Sequence, residues 1–222
     1  PEIKNGVDYT IALKANGTVW AYGKNTNGQL GINSKDNSNE PVQVQNLQNI
    51  VDIGVGYSSS IALSKSGEVY TWGVYKYLDS NGATKTEDRI LPTKEADLSN
   101  IVKVDSYKNN FYAIDVDGNV YIWGESYQKP TKIQTVVPIE DVSGNLLLGQ
   151  DGKVYLIQNP SEAISYLNNI VEISCGETHY LFTNIDSNVF SLGAGDLGQL
   201  GNGKYTTYTL PTLVKTQYGC LS

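Results

Sequence analysis

Histidine occurs once in this 222-residue chain, at position 179, and cysteine twice, at 175 and 220. Those shortages remove whole classes of chemistry. A zinc site built on nitrogen and sulfur needs more His and Cys ligands than this and usually a CxxC spacing. A disulfide framework needs several cysteines. A Ser-His-Asp triad would have to use His179, and no G-x-S-x-G elbow carries its serine. Methionine is absent and no signal-peptide pattern is seen, so the chain is expected to be a mature segment or an excised domain. No run approaches the roughly 18 uncharged apolar residues of a membrane helix, and membrane insertion is not expected. Basic residues number 16 against 23 acidic ones, for a net charge of −7, with no dense Lys/Arg run. Such a surface repels a phosphate backbone, which argues against nucleic acid as a partner.

What the chain has is glycine, tyrosine and internal repetition. There are 22 Gly and 16 Tyr. The segment Gly17-Thr-Val19-Trp20 returns as Gly67-Glu-Val69-Tyr70, Gly118-Asn-Val120-Tyr121, Gly152-Lys-Val154-Tyr155 and, degenerate, Ser187-Asn-Val189-Phe190. The five valines stand 50, 51, 34 and 35 residues apart. An apolar run precedes each turn, from Ile11-Ala12-Leu13 to Tyr180-Leu181-Phe182. Asn16-Gly17, Ser66-Gly67, Asp117-Gly118 and Asp151-Gly152 are hairpin signals because both central residues of the favoured two-residue turn take positive φ. The fifth copy, Asp186-Ser187, has lost its glycine and should turn less comfortably.

Five of the seven prolines (Pro41, Pro92, Pro130, Pro160 and Pro211) fall at equivalent places, suited to strand entrances and sheet edges. Counting nine residues on from Pro211, as in the earlier repeats, puts the next β run at Cys220. The span from the residue after each third strand to the proline is 18 or 19 positions in repeats one, two and five, but 6 in repeat three and 2 in repeat four. A length change confined to one loop is what stacked repeats tolerate. Each unit offers three or four short strands. In Val19-Trp20-Ala21-Tyr22 both alternating faces are apolar or aromatic, so burial on two sides is expected.

Two stretches, Gly23-Lys-Asn25-Thr-Asn-Gly28-Gln29-Leu30-Gly31 and Gly193-Ala-Gly-Asp-Leu-Gly198-Gln199-Leu200-Gly201, resemble the glycine-rich signature of the regulator of chromosome condensation repeats. Ile173-Ser-Cys175-Gly176-Glu-Thr-His179 resembles that family's other signature. The resemblance implies an all-β chain: a β-propeller or propeller arc of five such repeats in a single repeat domain, residues 1–222. Val19, Val69, Val120, Val154 and Val189 are its equivalent positions. Family propellers usually have seven blades, so ring closure stays open. Members of the family act as exchange factors on small GTPases, as chromatin-associated proteins and, in bacteria, as secreted inhibitors of β-lactamase.

Within that frame His179 sits where the family places a structural histidine. Cys175 fits a small buried hydrophobe. The Gly28-Gln-Leu-Gly31 loop lacks the Lys-Ser/Thr and the following helix of a phosphate loop, so its Asn and Gln are expected to tie backbone together. The acidic residues near turns fit no EF-hand. No catalytic residue, cofactor or metal is expected.

The binding candidates are tyrosines on loops: Tyr75 and Tyr77 in repeat two, Tyr127 in the clipped loop of repeat three, and Tyr205 and Tyr208 in repeat five. Tyrosine anchors interfaces because it buries a large area and keeps a polar handle. The bland alternative for each is packing against a neighbouring blade. The leading expectation is a non-enzymatic, protein-binding module of a secreted or cell-surface bacterial protein, of adhesin or inhibitor type. The alternatives are carbohydrate binding or glycan processing by an aromatic and carboxylate face, and a structural spacer that self-associates if the ring is open.

Overall fold

A computed structural model describes residues 1–79 and 81–215. Cys220 lies outside the described residues. The chain forms five antiparallel sheets of four strands each, every sheet a simple meander. The first comprises β1 (Glu2–Asn5), β2 (Tyr9–Leu13), β3 (Val19–Gly23) and β4 (Ser38–Gln43). The second holds β5 (Ile50–Val55), β6 (Ser59–Ser64), β7 (Val69–Leu78) and β8 (Thr84–Lys94). The third holds β9 (Ile101–Tyr107), β10 (Asn110–Asp115), β11 (Val120–Gly124) and β12 (Thr131–Ile133). The fourth holds β13 (Ile139–Ser143), β14 (Leu146–Gly149), β15 (Val154–Leu156) and β16 (Asn159–Ala163). The fifth holds β17 (Ile170–Cys175), β18 (His179–Asn184), β19 (Val189–Gly193) and β20 (Tyr208–Leu213). Each of the five equivalent valines is the first residue of its sheet's third strand.

All five hairpins between second and third strands are built alike, and differently from a two-residue turn. Lys14 N–H reaches the Thr18 carbonyl while Gly17 N–H reaches that of Lys14, and the same pair of bonds closes the loops at Ser64, Asp115, Gly149 and Asn184. A three-residue loop of this kind needs positive φ only at its last residue. Gly17 takes it (φ 77°) and Asn16 does not. Ser187, in the copy without glycine, is held at φ 62°, in the left-handed region that costs a residue with a Cβ about 1 kcal/mol. Pro41, Pro92, Pro160 and Pro211 lie on the fourth, edge strands, and Pro130 immediately precedes β12, where a missing N–H breaks no ladder.

The chain divides into two compact units, Pro1–Ile133 with the first three sheets and the residues from Gln134 with the last two. In the first unit, the first and second sheets bury Ile11, Val19, Leu30, Ile53 and Trp72 together. The second and third bury Ile61, Val69, Phe111 and Trp123. In the second unit Leu146, Val154, Ile170 and Phe182 form the shared core. Two-sided burial is nearly reached on the third strands of the second and third sheets, where Trp72 and Trp123 are buried and Tyr70 and Tyr121 half-buried. In the first sheet Trp20 is half-buried and Tyr22 exposed, so that expectation fails there.

Candidate protein-binding cleft

The cleft grows out of a substitution of one connection for another. In repeat one, the segment between β3 and β4 is a compact glycine-rich loop. Asn25 holds it from within: its Nδ2 donates to the carbonyls of Ser34 and Asp36, and its Oδ1 accepts from Leu30 N–H. Gln29 Oε1 accepts from Asn27 N–H. The loop then docks on the second sheet. The Trp72 indole N–H donates to the Gln29 carbonyl at 2.9 Å, Asn33 N–H to that of Ile90 at 3.0 Å, and Lys35 pairs with Asp88 at 2.6 Å. Gly28 sits so close to Ile90 that a Cβ would lie 2.7 Å from its Cα.

Repeat two has no such loop. β7 and β8 run on past the end of the other sheets as a two-stranded ribbon, with Val74 opposite Asp88, Tyr75 opposite Glu87 and Tyr77 opposite Lys85. At its tip Asp79 Oδ1 accepts the N–H groups of Asn81 and Ala83, which holds that carboxyl below the ordinary range. Because side chains alternate, Tyr75, Tyr77, Lys85, Glu87 and Arg89 share one face of the ribbon. Repeat three has only a short connection at this height, so a hollow of about 250 Å³ remains between that face and Gln128–Pro130.

The inner half of the hollow is occupied by the protein's own groups. Tyr75 is 5 % exposed, stacks on Phe111 at 5.8 Å and donates its hydroxyl to the Gln128 carbonyl at 3.0 Å. Burial first, and the Glu95 charge second, push its phenol up to about 12. The Arg89 guanidinium lies 3.6 Å over the Tyr75 ring. Its Nη1 donates to Glu95 at 2.6 Å and to Thr71 Oγ1 at 2.7 Å, and Thr71 in turn donates to Glu95. Arg89 Nε is buried without a hydrogen bond. The outer half, Tyr77 and Glu87, is open to solvent in part.

Of the five candidate tyrosines, the structure brings Tyr75 and Tyr77 together, and corrects their setting from a loop to a strand. Tyr75 belongs to the packed interior, because its strand continues inward against Phe111, and it offers no exposed anchor. Tyr77 lines the hollow. Tyr127, 42 % exposed, sits beside the Gln128–Pro130 wall without lining it. Tyr205 and Tyr208 belong to the other unit. There Tyr205 is 77 % exposed over a local hollow shared with Gly198, Lys204 and Lys215. Arg89, Glu87 and Glu95 were missed by reading the sequence. The signal lay in the Asn81-Gly82 turn and the period-two array around it.

Two structural assignments changed in detail. Cys175 is half-buried rather than buried, and its Sγ donates to Asn145 Oδ1 at 3.3 Å and the Gly176 carbonyl at 3.2 Å. His179 opens β18 with its carbonyl accepting Gly176 N–H at 2.8 Å. Among the described residues no group of three His, Cys, Asp or Glu could hold a metal ion, and no helix is long and apolar enough to cross a membrane.

Residues 16–63 match the Regulator of chromosome condensation (RCC1) repeat, and residues 50–82 match a second description of that repeat. The similarity is to RCC1 repeats. Protein pim1 of Schizosaccharomyces pombe is 25 % identical over 228 residues, covering 97 % of this chain and 41 % of its own length. The ultraviolet-B receptor UVR8 of Arabidopsis thaliana is 28 % identical over 95 % of this chain and 44 % of its own. The chain thus spans less than half the length of these two relatives. The crystal structure of human WBSCR16 superposes with a TM-score of 0.83 at 21 % identity, over 98 % of this chain and 67 % of that one. With the five four-stranded sheets, these likenesses place the fold with the RCC1-type β-propellers, and they support the RCC1 repeat family.

Proposed function

We propose that the chain is a non-enzymatic, protein-binding RCC1-type module that engages its partner at the repeat-two ribbon. The observation that carries this reading is the exchange of a self-satisfied loop for a ribbon with a half-open, tyrosine-lined face. A loop that only braces the next sheet would spend its polar groups internally, as Asn25 does. Rim tyrosines beside a water-accessible hollow suit a protein contact. Relatives of this fold include Prp20p of Saccharomyces cerevisiae, whose structure was described with its binding to Gsp1p and histones. Selection of twelve-residue peptides from a display library on the wild-type chain tests the reading. Peptides held by wild type and lost by Tyr77→Ala are expected; equal retention by both would remove the cleft as the binding surface.

Carbohydrate recognition rests on one separate observation, a polar hollow in the first unit lined by Asn46, Gln48, Asn49, Glu68 and Tyr70. A silent glycan array would eliminate it. Self-association as a spacer draws on Leu197 and Tyr205, exposed by 84 % and 77 %, and a single monomer mass by light scattering would count against it. The bacterial, secreted or cell-surface setting is proposed from the Asn/Tyr-rich, Cys-poor composition alone, and pim1, UVR8 and WBSCR16 come from eukaryotes. Fractionation of expressing cells tests it, and recovery from cytosol only would remove it.

A further inference from the structure

The cleft contains a template for its own ligand. Arg89 lies flat on Tyr75 and hands a hydrogen bond to Glu95. An aromatic face with a carboxylate at its edge holds a guanidinium through the ring quadrupole and a charge-assisted bond. Two residues further out, the same strand presents the next aromatic. Tyr77 shares the face of Tyr75, with ring centroids 5.8 Å apart and planes tilted by 50°. Glu87 faces both from the paired strand. Its side chain is 56 % exposed, and among the described residues its only ion pair is a 3.6 Å approach to Arg89 Nε, the nitrogen that makes no hydrogen bond there. The outer pair Tyr77–Glu87 therefore repeats the inner pair Tyr75–Glu95, except that the guanidinium Glu87 approaches lies over the Tyr75 ring and not over Tyr77.

Among the described residues no cation lies over the Tyr77 ring. Lys85, directly opposite Tyr77, turns to the ribbon tip, where its Nζ lies 3.6 Å from Asp79. Around the hollow, the carboxylates of Glu87, Glu95 and Asp97 face the cations of Arg89 and Lys129, an acidic excess in keeping with the net charge of −7. Resting on the protein-binding reading above, we propose that the outer half of the cleft takes an arginine side chain of an extended partner segment, stacked on Tyr77 and paired with Glu87. Arginine fits better than lysine because its planar group stacks and bonds at once.

Fluorescence anisotropy of the whole chain with labelled octapeptides tests this. One Gly/Ser scaffold carries two Arg, two Lys, two Glu or two Leu at the same positions. The Arg peptide is expected to bind tightest. Glu87→Gln, a change on an exposed side chain, should weaken it about tenfold, while Lys129→Glu should tighten it about threefold and steepen its salt dependence. Tyr77→Phe should retain binding that Tyr77→Ala loses, which separates loss of the stacking face from general damage. Tighter binding of the Glu or Leu peptide, lost in Tyr77→Ala, would overturn the arginine assignment and leave the protein-binding cleft standing. Arg and Lys peptides of equal affinity would overturn the stacking geometry. Failure of every peptide, or binding indifferent to Tyr77, would overturn both readings.

Discussion

Trp72 and Trp123 occupy the same position in consecutive repeats, and the same mutation in each should have opposite consequences. Both side chains are buried, with exposures of 1 % and 0 %. Trp72 donates its indole N–H to the Gln29 carbonyl of the preceding loop. Trp123 follows the repeat whose loop became a ribbon, and its Nε1 has no hydrogen-bond partner. Trp123 instead stacks on Phe111 at 5.7 Å. Replacing either by Phe removes a ring's worth of packing, about 1 kcal/mol for the void left behind. At Trp72 the change also strands the Gln29 carbonyl, adding about 1–3 kcal/mol. At Trp123 it relieves a stranded donor and returns about the same amount. Trp72→Phe should therefore cost about 2–4 kcal/mol, and Trp123→Phe should range from neutral to a gain of about 2 kcal/mol. Urea unfolding followed by far-ultraviolet circular dichroism measures both. Equal losses, or the larger loss at Trp123, would refute the account of how the ribbon replaces the loop.

The other expectations are narrower. Ser187→Gly should raise stability by about 0.5–1 kcal/mol by relieving the left-handed turn, and an unchanged or lower urea midpoint would contradict it. Glu95→Ala strands the Arg89 guanidinium, only 13 % of whose side chain is exposed, and should cost about 3 kcal/mol or more; a thermal midpoint within a degree of wild type would sink that argument. Burial is the main cause that pushes Asp52 up to about 6, against 3.8 in the unfolded chain, with the Val104 N–H bond acting in the opposite direction. Folding therefore favours the protonated carboxyl: this contribution is full below about pH 4 and is lost as pH rises through 6, by less than about 3 kcal/mol for a partly exposed group. Wild type should gain on Asp52→Asn as pH falls from 7 to 4.5, and parallel stability curves for the two would rule this out.

Much of the framework was legible because repetition averages out local ambiguity. The five valines marked the start of every third strand, the prolines marked the edge strands, and the clipped spans marked the repeats without the long loop. The turn chemistry was read one step wrongly. Asn-Gly suits a two-residue hairpin, yet the ladder places the loop one residue longer and leaves only the glycine left-handed. The cleft was half legible. Tyr75 and Tyr77 stand out as departures from the glycine signature, but the absence of that signature is not the absence of a strand. Nothing local distinguishes an inward tyrosine from an outward one two residues on. That difference comes from Phe111, which approaches from the third sheet. Arg89 and Glu95 escaped notice because their roles exist only once the ribbon has folded back on itself.

The connection between third and fourth strands leaves and rejoins the sheet at one rung: Gly23 pairs with Ser38, Gly73 with Arg89 and Gly193 with Tyr208. Whatever lies between starts and finishes at neighbouring points, so each doubling of its length adds only about 0.6 kcal/mol of closure entropy. That rung behaves as a socket. A lineage, or an engineer, can exchange the segment plugged into it and acquire a new recognition surface while the strands beneath inherit the same instructions.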